Sequence, residues 1–210
     1  MQTNATITID CSRPGEHTVN PYLFGHFVED IRDHMEAMLA FPLRDMDFES
    51  EKTGESAVSG SWFPFTNGRN TQYALEAPAL RHSGRAQRIR IMSDDEAYAG
   101  IAQNAALKGP MTYMVRIVAR ASVELRYIIL DAVDRRNEEL LGRVKMELKS
   151  HNWQEYEASL PVSRNCADAE IRIYVPADHP RWTDHVSTGM LWLDHVSLLP
   201  EDNIGLVKSE

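Results

Sequence analysis

The chain has 210 residues, 43% hydrophobic and 25% charged, enough for one sizeable core and too apolar for intrinsic disorder. Its formal net charge of -9 repels phosphate backbones and anionic lipid, which argues against nucleic acid and membrane surfaces and favours neutral or weakly charged ligands. No run approaches the roughly 18 to 20 apolar residues of a membrane-spanning helix, and Met1 to Arg13 lacks the apolar centre of a secretory signal, so the expected location is cytoplasmic. Two cysteines, Cys11 and Cys166, are too few for a disulfide scaffold or a four-cysteine zinc site and read as small packing residues.

In chain order, Thr6 to Ile9 and Tyr22 to Ile31 are strand-like. The second of these carries Gly25 in its middle, the mark of a bulge or a close backbone approach, and reaches Glu29 and Asp30 near its end. Ile31, His34, Met35, Met38 and Leu39 share a face at helical spacing and predict one short helix. A boundary falls near Pro42 to Asp47. The run Arg81 to Arg90, RHSGRAQRIR, holds four arginines; it reads either as surface charge on a hairpin or as a site suited to a uronate.

From about Met111 the apolar pattern has period two. Tyr113, Val115, Ile117 and Ala119 alternate with Thr112, Met114, Arg116 and Val118, as in a half-buried strand, and Ile171, Ile173 and Val175 alternate with Glu170, Arg172 and Tyr174. Leu125 to Leu130, Leu141 to Leu148, Gln154 to Leu160 and Met190 to Leu198 are further strands, separated by polar turns at Asp134 to Glu139 and Ser163 to Asp168. So many short strands with almost no helix between them predict an antiparallel β-sandwich or jelly roll. The chain is also shorter than the roughly 250 residues of an eight-fold β/α barrel, and it has no Gly-rich strand-to-helix turn of the dinucleotide-binding kind.

Several stretches resemble carbohydrate-binding modules of the family 4 and 9 type. Asp45 to Trp62, DMDFESEKTGESAVSGSW, is similar to their opening, where a Phe-Glu pair precedes a loop and a tryptophan. Tyr98 to Asn104, Lys108 to Ser122, His151 to Leu160 and Leu191 to Pro200, LWLDHVSLLP, resemble later strands in the same order. Upstream, Tyr22 to Asp30, YLFGHFVED, resembles the first barrel strand of α-L-arabinofuranosidases of glycoside hydrolase family 51, in many of which such a module follows that strand.

The resemblance implies an all-β, jelly-roll, galactose-binding-like β-sandwich with an N-terminal strand segment. It divides the chain into a segment 1–42, a module 43–202 and a tail 203–210. It also implies a carbohydrate-binding or supporting role for an arabinofuranosidase acting on arabinose-containing polysaccharide. The barrel strands that carry that family's acid/base and nucleophile glutamates have no counterpart in this sequence, so no residue here is assigned to catalysis. Expected partners are an arabinose-containing glycan and a catalytic barrel, in the same or a second chain. Two other readings are a subunit that becomes an active arabinofuranosidase when a partner completes the barrel, and a structural interaction module without sugar affinity. The free edge of Tyr22 to Ile31 predicts docking on the sandwich or self-association.

Hydrolysis by the chain alone is opposed by geometry. A retaining glycosidase needs two carboxyl groups about 5 to 5.5 Å apart, whereas Glu29 and Asp30, adjacent on an extended strand, point to opposite faces. Glu29 reads as a hydroxyl-binding carboxylate of a complete barrel, or as a solvated strand-end charge. Aromatic rings that could stack on a sugar are Trp62, Phe63, Phe65, Tyr73, Tyr98, Trp153, Tyr156 and Trp182. Trp62 and Trp182, in the polar settings SGSW and HPRWTD, are the expected exposed rings, with Arg69 and Asn70 beside them; the alternative is that they cover a sheet edge. The resemblance further implies a structural calcium between Glu49 and Asp194, against which stands a turn-capping Asp194 with a solvated Glu49. His185 and His195 lack a clear third ligand for zinc and read as structural or exposed.

Overall fold

Alternation becomes register in β5 (Met111–Ala121): Tyr113, Val115 and Ile117 are buried, while Met114 between the first two is 44% exposed; Val118, expected to point outward, is buried too, where the pairing with the last strand shifts register. The computed structural model describes residues 42–51, 56–77, 84–92, 98–123, 125–149, 151–176 and 188–201. The chain divides into two compact units, Met1–Ala37 and Met38–Glu210, and every described residue lies in the second. Thr6 to Ile9, Tyr22 to Ile31, the helix at Ile31 to Leu39 and the tail 203–210 therefore lie outside the described residues.

Among the described residues there are ten strands and no helix. Besides β5 they are β1 (Phe63–Thr66), β2 (Gln72–Glu76), β3 (Ala86–Met92), β4 (Ala99–Leu107), β6 (Tyr127–Asp134), β7 (Glu139–Glu147), β8 (Gln154–Val162), β9 (Cys166–Val175) and β10 (Thr188–Pro200). They form two five-stranded antiparallel sheets, ordered β1-β4-β9-β6-β7 and β2-β3-β10-β5-β8. The chain passes repeatedly from one sheet to the other, the jelly-roll sandwich that the alternation predicts.

The core lies between the sheets. Ile101, Ile128, Leu130, Ile171 and Ile173 face Ile89, Ile91, Ile117, Leu160, Leu191 and Leu193, each fully buried. Burial of each such side chain contributes roughly 1.5–3 kcal/mol against an unfolded reference. Two glutamines sit at inward positions and serve the segment that enters the sandwich. Gln103 accepts from Arg44 N–H (2.6 Å) and donates to Arg44 C=O (2.9 Å). Gln87 accepts from Ser59 N–H (3.0 Å) and donates to Ala74 C=O (3.1 Å). Their amides satisfy backbone groups that would otherwise be buried without a partner.

Candidate functional site

Outward-pointing residues of the first sheet are placed side by side by the strand register. Phe65 pairs with Gly100, Gly100 with Tyr174, Tyr174 with Ile129 and Ile129 with Lys145, a row across all five strands. The next row runs Phe63, Ala102, Arg172, Asp131, Arg143. Since side chains alternate between faces, both rows look away from the core that Ile101, Ile173 and Leu130 fill.

Gly100 makes the first row possible. A Cβ there would run into the Ile173 carbonyl oxygen and the Tyr174 backbone, so only a glycine lets β9 approach this closely. Its neighbours across the strands are aromatic. The Phe65 and Tyr98 rings stack with centroids 4.5 Å apart, and Tyr174 meets Phe65 edge-on at 5.3 Å and Tyr98 at 6.1 Å. Tyr98 is fixed from behind: its N–H donates to Asn67 Oδ1 (2.9 Å) and its C=O accepts from Thr66 Oγ1 (2.9 Å).

Beside the rings runs a charged network. The Asp131 carboxylate, 5% exposed, accepts from Arg143 Nε (2.6 Å) and Nη2 (2.7 Å) and from the Tyr174 hydroxyl (2.9 Å). Burial, with Asp131 next to it, pushes the Tyr174 hydroxyl up to about 12. Arg172 lies 4.8 Å from the Phe65 ring centroid, while its Nε donates to Glu170 (2.6 Å) and its Nη2 to Glu138 (2.7 Å). Glu138 closes the β6–β7 turn in the left-handed region, φ 57°, which costs a residue with a Cβ roughly 1–2 kcal/mol. At the far side Lys145 sits 3.8 Å from the Tyr127 ring centroid.

The half-buried rings of Phe65 and Tyr98, backed by the buried Tyr174 and standing next to fixed guanidinium groups, can hold a neutral polyol. On this face Asp131 is ion-paired with Arg143, and Glu138 and Glu170 with Arg172.

The sequence-derived candidates divide. Trp62 is 2% exposed, which corrects the expectation of an exposed ring: it packs on Phe48 at 5.6 Å and its indole N–H donates to Asp45 C=O (3.0 Å). Of the polar neighbours that suggested a surface, Ser59 is itself fully buried and bonded to Asp45 Oδ2 and the Gln87 amide. Tyr156 is a core residue too, and Tyr73, half-buried, packs against the core and donates its hydroxyl to Gly100 C=O (2.9 Å). Arg69 and Asn70 are exposed on the β1–β2 loop, the loop that Asn67 and Thr66 pin to Tyr98. Glu29, Trp182 and His185 lie outside the described residues. Sequence reasoning had Phe65 and Tyr98 among its rings but missed Tyr174, Asp131, Arg143 and Arg172, for which the available signal was the outward Glu170, Arg172, Tyr174 alternation.

For calcium, Glu49 accepts the Arg85 N–H (3.1 Å), while Asp194 is fully buried beside a bulge in β10. Among the described residues no three His, Cys, Asp or Glu side chains gather as a metal-binding group, so further oxygens from the backbone would be needed to reach calcium's six to eight. His195 is tied to Asp47 through Nδ1 (2.6 Å).

No protein-family model matches the sequence, and no curated protein matches it. Solved structures do. The arabinose-bound GH51 α-L-arabinofuranosidase MgGH51 superposes with TM-score 0.61 at 11% identity over 78% of this chain and 27% of that chain. The enzymatically active domain of tailspike protein 4 of bacteriophage CBA120 gives 0.52 at 11% identity, over 77% of this chain and 21% of that chain. A carbohydrate-binding module of the β-sandwich superfamily gives 0.50 at 13% identity, over 69% of this chain and 59% of that one. This chain thus spans under a third of the two enzymes and less than two thirds of the module. The likeness shows the fold: an antiparallel β-sandwich of the kind found in carbohydrate-binding modules.

Proposed function

We propose that this chain is a carbohydrate-binding module, and that its glycan lies on the outer face of the β1-β4-β9-β6-β7 sheet. The observation that carries the reading is the Phe65, Tyr98 and Tyr174 cluster over Gly100, flanked by Arg172 and the Asp131–Arg143 pair. Fixed rings and saturated ion pairs bind a sugar with little further loss of side-chain freedom. In the finer form of the proposal the ligand is an arabinose-containing polysaccharide and the module serves an α-L-arabinofuranosidase, a reading supported by the Tyr22 to Asp30 resemblance and by the sandwich shared with MgGH51.

Calorimetric titration with arabinan and arabinoxylan fragments tests this. Saturable binding is expected, reduced about tenfold or more by Tyr98→Ala, the loss of one stacked ring. An unchanged affinity in that variant would remove the face from the account. Incubated alone with an aryl arabinofuranoside, the chain is expected to give no turnover; release of the aryl group would contradict a non-catalytic module. The proposal includes a structural calcium between Glu49 and Asp194, tested by a rise in melting temperature with calcium that a chelator reverses.

A further inference from the structure

The outer face of the other sheet is assembled on different chemistry. Trp192 of β10 pairs with Arg88 of β3 on one side and Arg120 of β5 on the other, and in the next row Arg90 lies between Gln72 and Met190. The Arg120 guanidinium stands 4.2 Å from the Trp192 ring centroid and 5.2 Å from that of Trp153, so it packs on both indoles. Arg88 and Arg90 belong to the arginine-rich run Arg81 to Arg90.

The carboxylates near this row are already engaged. Glu76 accepts the Trp192 indole N–H (3.0 Å) and forms an ion pair with Arg88, 2.6 Å from its Nε, although that Nε–H, like those of Arg90 and Arg120, is buried without an aligned acceptor; Glu155 and Glu157 hold Arg116 at 2.9 and 2.7 Å. Among the described residues Arg90 reaches only the Gln72 amide oxygen, at 3.4 Å, and Arg120 only the two rings. Neither has a carboxylate partner among the described residues, and the Nε of each is buried without an acceptor. A guanidinium part-removed from water and left without an anion is costly. Two of them beside half-buried indoles, on a chain of net charge -9, point to a ligand that brings its own negative charge.

We propose that this face is a second, independent site for a carboxylate-bearing sugar, a uronic acid residue of a glycan. The planar fork of arginine matches a carboxylate in two parallel hydrogen bonds, and an indole face suits the C–H side of a sugar ring. Arg90 and Arg120 supply the cationic groups, and Trp192 and Trp153 the apolar ones. Arg88 is held back by Glu76 and serves to position Trp192.

Separate calorimetric titrations of the full chain at low salt with trigalacturonate and with a glucuronate-bearing tetrasaccharide test the proposal, the methyl esters of each serving as neutral controls. Saturable binding of at least one acid is expected, with its ester about tenfold or more weaker, the loss of a charge-assisted pair. Arg90→Gln and Arg120→Lys are each expected to weaken the acid about tenfold, while Tyr98→Ala leaves it unchanged. Arg90 lies outside the indole sandwich, so Arg90→Gln answers the question even if Arg120→Lys disturbs folding. No saturable binding of either acid, equal binding of acid and ester, or an unchanged affinity in Arg90→Gln would overturn the proposal. Loss of acid binding in Tyr98→Ala alone would assign the acid to the first face and overturn the second site.

Discussion

On the β1-β4-β9-β6-β7 sheet the aromatic rings pack on one another above a glycine, and Asp131, Glu138 and Glu170 each have an arginine. On the β2-β3-β10-β5-β8 sheet the two indoles pack on an arginine instead, and two guanidiniums have no carboxylate among the described residues. The same alternation of in and out produced both faces, and the same core supports them. The difference lies in where charge is neutralised: within the protein on the first face, whereas on the second Arg88 and Arg116 have carboxylates and Arg90 and Arg120 have none among the described residues, the place the proposal gives to an acidic ligand. A neutral ligand and an acidic one are therefore the chemical complements of the two surfaces.

Five changes break or sharpen this contrast. The largest effect belongs to neither face. Trp62→Ala empties a buried indole site and orphans the Asp45 carbonyl, and is expected to cost roughly 3–5 kcal/mol in denaturant unfolding. Tyr98→Ala, at a half-buried surface ring, should cost roughly 1 kcal/mol; near-equal losses would contradict the assignment of Trp62 to the core. Next comes Gly100→Ala, whose methyl meets the β9 backbone. A loss of roughly 1–3 kcal/mol is expected, with glycan binding on the first face abolished and acid binding on the second retained.

Glu138→Gly removes a left-handed strain worth roughly 1–2 kcal/mol but also an exposed ion pair with Arg172 worth up to about 1 kcal/mol, and it adds freedom to the unfolded chain, so stability should change by about 1 kcal/mol at most. Sugar affinity on the first face is nevertheless expected to fall about threefold as Arg172 loosens. The smallest effect is a pH dependence. The Tyr174 hydroxyl has a folded value of about 12, above its ordinary 10.0, so folding favours its protonated form. Its contribution is complete below pH 10 and is lost as pH rises from about 10 to about 12. Denaturation curves across that range should show a decline that Tyr174→Phe lessens.

Much of the fold is legible in the sequence because β5, β8, β9 and β10 bury one face against a core and leave the other toward solvent. Val115, Ile117, Ile171 and Ile173 are where period two puts them. The strands β1, β2 and β3 are harder: they are short or polar, β1 contains Pro64, and β3 carries Gln87 at an inward position for the sake of the entering backbone. The candidate site was half visible. Phe65 and Tyr98 stood out as rings, but their meeting with Tyr174, Arg172 and Asp131 depends on cross-strand register between segments up to 109 positions apart, Phe65 against Tyr174. No local pattern encodes that. Trp62 was misread because a serine marks a surface only when nothing inside needs its hydrogen bonds, and here the Asp45 carboxylate and the Gln87 amide need those of Ser59.

The most direct test of the central claim is a map of backbone amide shifts by nuclear magnetic resonance as an arabinose-containing oligosaccharide is added. Binding on the first face predicts saturable shifts at Phe65, Gly100, Ile129, Arg172 and Tyr174, with Arg88, Arg120 and Trp192 unmoved. Shifts confined to the second sheet, or none at saturating sugar, would contradict it.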